Sequence, residues 1–117
     1  MKIAIIVRME TLNTCTAKGC LNAFTKRIDS FERYDHNVEL IGFTFESGDI
    51  EEKIEKLKKN GVEAVHLSSC MRSKSSHYEA LAQRLSENFD VIGYTHGSEE
   101  GKTKVAISLK KRVDSIC

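Results

Sequence analysis

Val62-Glu63-Ala64-Val65-His66-Leu67-Ser68-Ser69-Cys70-Met71-Arg72 is the stretch on which the fold turns. Its first six residues form a short, largely apolar, β-branched run that ends in small polar residues. That is how a buried parallel strand delivers side chains to a site at its carboxyl end. Cys70 is the residue delivered there.

Working outward, Asn60-Gly61 just upstream is a helix stop, and Ile50, Ile54 and Leu57 share one side of the helix it closes. Glu51, Glu52, Lys53, Glu55, Lys56 and Lys59 fill the solvent face, and Ser47-Gly48-Asp49 supplies the turn and N-cap. Before it, Val38 to Phe45 reads as an outer strand. Leu21, Phe24, Ile28 and Phe31 predict a helix from Cys20 to near Tyr34, and Lys2 to Val7 is apolar on both faces, as a central strand is. Downstream, Ser73-Lys74-Ser75-Ser76 is a loop and N-cap, and Tyr78, Leu81, Ala82 and Leu85 predict a helix to about Asn88. Phe89 to Tyr94 is the fourth strand, and Val105, Leu109, Val113 and Ile116 recur at the spacing of a terminal helix.

Four strands alternating with four helices predict a three-layer α/β fold: a four-stranded, mostly parallel sheet, flavodoxin-like or Rossmann-like, in strand order 2-1-3-4. With 117 residues the chain is expected to be a single domain over 1–117. The loops at 8–19, 45–49, 68–76 and 95–97 then share the carboxyl rim of the sheet.

Eighteen basic and seventeen acidic residues leave a net charge of +1, so no global field draws in nucleic acid or an anionic membrane. The longest apolar run, Ile3 to Val7, is too short for a membrane span or a secretory core. Four cysteines without a secretion signal are expected to be free thiols in a reducing, cytoplasmic setting. The expected partner is a small molecule or a metal ion.

On the rim, Cys15, Cys20, Cys70 and His96 come from three strand-end connections, and three thiolates with an imidazole make a zinc or iron site. Cys20, at the expected start of a helix, is also the best candidate for a reactive thiol, because free backbone amides favour a thiolate. His66, mid-strand, is expected to support a ligand from behind rather than to be one. Arg8 and Arg72 are candidate anion-binding residues, and the terminal Cys117 has no assigned role. Three functions stand open: a metal-binding or redox-related domain, a metal-free thiol enzyme using Cys20 or Cys70 with His96 as base, and an anion-binding module. His96 to Thr103 also sits where a Walker phosphate loop would, but histidine replaces its first glycine and Glu99-Glu100 occupy the phosphate cradle.

Thr14-Cys15, Gly19-Cys20-Leu21, Ala23-Phe24, Phe31-Glu32-Arg33-Tyr34, Val38 to Phe43, Val65 to Cys70 and Thr95-His96 together resemble the CGGC-domain family, small prokaryotic proteins suspected of binding metal. The resemblance implies a cysteine- and histidine-rich site at Cys15, Cys20, Cys70 and His96. The motif that names the family belongs after the second strand, where this chain reads Thr44-Phe45-Glu46-Ser47-Gly48-Asp49 without a cysteine. Ser75-Ser76-His77-Tyr78 likewise stands where the resemblance implies another.

Overall fold

Lys2–Val7, apolar on both faces, is β1 and lies inside the sheet of the computed structural model, which describes residues 1–102 and 104–112. The other strands are β2 (Glu39–Phe45), β3 (Ala64–Leu67), β4 (Asp90–Ile92) and β5 (Ser108–Leu109). The helices are α1 (Lys18–Lys26), α2 (Ile50–Lys59), α3 (Ser69–Lys74) and α4 (Tyr78–Leu85). The sheet order is β2-β1-β3-β4-β5, with the first four strands parallel and β5 antiparallel to β4. The expected four-strand order stands, with a fifth strand added at its edge.

Both faces of β1 are covered. Ala4 and Ile6 pack with Ile54 and Leu57 of α2 and Tyr78 and Ala82 of α4. On the opposite face Ile3, Ile5 and Val7 pack with Cys20 and Ala23 of α1, and with Phe31. The chain leaves β1 toward β2 on one side and returns to β3 on the other, so the connections after β1 and β3 diverge. A crevice opens there at the carboxyl edge.

Helix α2 forms as its sequence dictates: the Asp49 carboxylate accepts the Glu52 N–H at 3.0 Å, and Gly61, at φ +82°, turns the chain out after the Asn60 cap. Three elements differ from expectation. The helix begun near Cys20 stops at Lys26, because Arg27 turns left-handed (φ 55°) and packs its guanidinium on the Phe24 ring while bonding the Phe24 carbonyl. Ile28 is then extended, and Asp29–Arg33 forms a separate 3₁₀ turn that inserts Phe31 into the core. Second, the corner at Ser68 is not a loop: Ser68 caps α3, its hydroxyl facing the Met71 N–H at 3.4 Å.

Third, no helix forms over 104–112: the chain there is irregular apart from β5. Its backbone groups are taken by neighbours: Ile107 N–H donates to the Tyr78 hydroxyl at 2.9 Å, Gly93 N–H to the Ile107 carbonyl at 2.7 Å, and Lys111 N–H to the Asp90 carboxylate at 2.8 Å. Val113, Ile116 and Cys117 lie outside the described residues. The 98–101 segment opens no helix, which removes the Walker arrangement. Among the described residues no helix is long and apolar enough to cross a membrane.

Candidate functional site

The crevice holds a cavity of about 270 Å³ whose wall includes Cys15, Cys20, Cys70 and His96. The four rim residues expected to act together therefore do share one space. Cys15 is exposed, Cys70 half-buried and Cys20 buried, and all three are free thiols. The remaining lining is largely apolar and carries no carboxylate; Lys74 is its one charged side chain among the described residues.

Each sulfur already has a hydrogen-bond partner. Ala17, the left-handed residue (φ 66°) that opens α1, donates its N–H to Cys15 Sγ at 3.3 Å. Cys70 Sγ lies 2.9 Å from the Ser68 hydroxyl, and Cys20 Sγ lies 3.1 Å from the Thr95 hydroxyl. Among the described residues no group of three or more His, Cys, Asp or Glu side chains is arranged to hold a metal ion. The donor types fit a thiophilic ion, three sulfurs and an imidazole without hard oxygen ligands. Their rotamers do not form a finished shell.

Cys20 departs from the reactive-thiol expectation. Burial pushes its thiol up from 9.0, and the neighbouring Cys70 and Cys15 add to the rise, while the Thr95 hydroxyl opposes it. A position in the first turn of α1 is not enough to offset that desolvation.

His96 is exposed and placed by its backbone and by a void. The Ser69 hydroxyl donates to the His96 carbonyl at 2.6 Å and accepts the His96 N–H at 3.2 Å and the Thr95 N–H at 3.3 Å. The ring rests on Gly19: a Cβ there would lie 2.9 Å from Cδ2 and 3.0 Å from Nε2. The close approach leaves room for the ring only while residue 19 has no side chain. Gly19→Ala is therefore expected to push the imidazole aside and to weaken any ligand that needs it by about tenfold. In a His96→Ala background the same substitution should have almost no further effect, which titration of the four variants checks.

His66 stands apart from the cavity. It is fully buried, stacked on Phe31 with ring centroids 4.3 Å apart. The Tyr34 hydroxyl lies 2.7 Å from its Nε2, and the Ser30 hydroxyl and Tyr94 carbonyl lie 3.0 and 3.2 Å from its Nδ1. Its nearest link to the site runs through Ser30, which donates to the Thr95 carbonyl at 2.9 Å.

The two arginines are engaged elsewhere. Arg72 is nearly buried and donates to the Ser98 and Glu99 carbonyls at 2.9 and 3.0 Å, pinning the chain that follows His96. Arg8 pairs with Glu10 at 2.6 Å on the wall of a neighbouring cavity of about 350 Å³, which also holds Glu46, Lys74 and His77. The two do not converge on one anion site: Arg8 lines this cavity and Arg72 does not.

Sequence reading missed Ser69, Thr95 and the steric reason for Gly19. The available signal was adjacency: Ser69 precedes Cys70 and Thr95 precedes His96, and small hydroxyl residues beside candidate ligands supply the bonds that orient them.

The sequence model of the CGGC domain matches residues 2–96, which span β1 through His96. No curated protein and no solved structure matches the chain.

Proposed function

This chain belongs to the CGGC-domain family, and from that premise we propose that its cavity binds a thiophilic metal ion, zinc or iron, through Cys15, Cys20, Cys70 and His96. The observation that carries the reading is that these four donors, drawn from three connections, line one cavity at the divergence of the β1 and β3 connections. The β2-β1-β3-β4 order supports a flavodoxin-like reading of the domain, a class in which ligands sit at that position. Three free thiols among the described residues suit a reducing cytoplasm.

When bound, such an ion cross-links three connections of the fold and supplies a positive centre. The residues around it have separable tasks. Cys20 donates from the buried floor and Cys15 from the exposed lip. Ser69 fixes the backbone of His96, Gly19 leaves space for its ring, and the Lys74 ammonium on the wall offsets thiolate charge.

Anaerobic purification followed by reconstitution with zinc or ferrous iron tests this by metal analysis. One ion per chain is expected, with affinity lowered by about a hundredfold or more in Cys15→Ser and Cys70→Ser. Protein that takes up no metal, or variants that bind as well as the parent, would sink the proposal. A metal-free protein whose Cys70 is alkylated unusually fast would instead favour the thiol-enzyme reading.

A further inference from the structure

Behind the cavity, a chain of buried polar groups can be given directions from its fixed ends. The Ser30 hydroxyl spends its proton on the Thr95 carbonyl at 2.9 Å, so toward His66 it acts as acceptor. The imidazole therefore carries its proton on Nδ1, which the Tyr94 carbonyl also accepts, and Nε2 receives the Tyr34 hydroxyl proton at 2.7 Å. Thr95 is held on every polar side: its carbonyl by Ser30, its N–H by Ser69 Oγ, and its Oγ1 by the Ser69 N–H at 3.4 Å. Thr95 is fully buried, so its hydroxyl proton needs an acceptor, and the one within reach among the described residues is Cys20 Sγ at 3.1 Å.

We infer that Thr95 is a positioning residue of the thiol cavity, whose hydroxyl donates to Cys20 Sγ and fixes where that sulfur is presented as a ligand. The inference rests on the metal-binding reading and deepens it. One residue joins the three connections that bear the donors: its hydroxyl reaches Cys20 on α1, its other bonds reach Ser69 beside Cys70 on α3, and its own chain continues into His96. Such orienting partners typically govern metal affinity by tenfold to a hundredfold. The methyl group of Thr95 adds packing but no bond, so the hydroxyl and the methyl can be separated by substitution.

Thr95→Ser and Thr95→Ala both delete the methyl and differ in the hydroxyl alone. Anaerobic titration with cobalt(II), read by the thiolate-to-cobalt charge-transfer absorption and repeated with zinc(II) against a chelator, compares them with the parent chain. The expected result is Thr95→Ser within about threefold of the parent, and Thr95→Ala weaker by about tenfold or more. Thr95→Val, which keeps the shape, should behave as Thr95→Ala does; should it not fold, the Ser and Ala pair still decides. Equal affinity of Thr95→Ser and Thr95→Ala, with the parent binding normally, overturns the inference alone. A parent chain that binds neither cobalt nor zinc overturns the metal reading and the inference with it.

Discussion

Gly93→Ala is expected to cost about 4 kcal/mol of folding stability, from overpacking together with the loss of two buried hydrogen bonds. Gly93 is buried just beyond β4, where the chain before β5 returns against it. A Cβ there would lie 1.9 Å from the Tyr78 hydroxyl oxygen and 2.7 and 2.9 Å from the backbone N and O of Ile107. None of these can yield cheaply. Tyr78 is fully buried, and its hydroxyl donates to the Gly93 carbonyl at 2.7 Å while accepting the Ile107 N–H at 2.9 Å. Ile107 is backbone, tied to Gly93 N–H through its own carbonyl. Denaturant unfolding checks the loss. Tyr78→Phe removes the nearest clashing atom, so the double variant should be more stable than the sum of the single losses predicts. Additive losses, or a Gly93→Ala cost below about 1 kcal/mol, would contradict the packing described at this junction.

Mild acid should destabilise the protein through His66. Burial pushes its imidazole from 6.5 down to about 3, with the Tyr94 carbonyl only partly opposing the shift. Both ring nitrogens are already committed, and a second proton would force the Tyr34 hydroxyl to turn from donor to acceptor at Nε2. The unfolded chain protonates this ring near its ordinary value, so between the two pKa values it binds more protons than the native protein. Stability contributed by the neutral ring is therefore complete above about pH 6.5 and falls as pH falls through the window. The loss amounts to about 2 kcal/mol between about pH 7.5 and pH 5, and to about 4 kcal/mol near pH 3. Carboxylates also titrate toward the lower end of this range, so the decisive comparison is with His66→Gln. That variant should start less stable at neutral pH and then lose less on acidification to pH 5. Parallel pH profiles for the two proteins would show that His66 does not carry the acid sensitivity.

The central parallel strands were legible because their signal is composition on both faces. Lys2–Val7 and Ala64–Leu67 are buried on both faces beyond Lys2, and α2 carried an N-cap, an apolar stripe and a glycine stop in agreement. The misread elements share a different physics, in which tertiary contacts overrule local pattern. Phe24, Ile28 and Phe31 satisfy helical spacing, yet Arg27 in the left-handed region sends them to separate elements. Val105 and Leu109 also sit at helical spacing, but neighbouring backbone N–H groups are captured by Tyr78 and Glu99. Helix α3 is only six residues and rich in serine, so its one local signal was the Ser68 cap. The cavity was legible through topology, since parallel strands must gather their following loops on one rim. The Ser69 and Thr95 bonds that organise it were not, because a buried hydroxyl has no periodic signature. Nor does the sequence show that Arg72 donates to the Ser98 and Glu99 carbonyls, a contact between segments 26 and 27 residues apart.

Cys15, Cys20, Cys70 and His96 are proposed to hold one metal ion together. Anomalous scattering at the zinc edge from crystals of the zinc-loaded protein tests it most directly. The prediction is a single peak in the cavity, about 2.3 Å from the sulfurs of Cys15, Cys20 and Cys70 and about 2.0 Å from a nitrogen of His96. A peak elsewhere on the molecule, or no peak from protein exposed to zinc under reducing conditions, would contradict it.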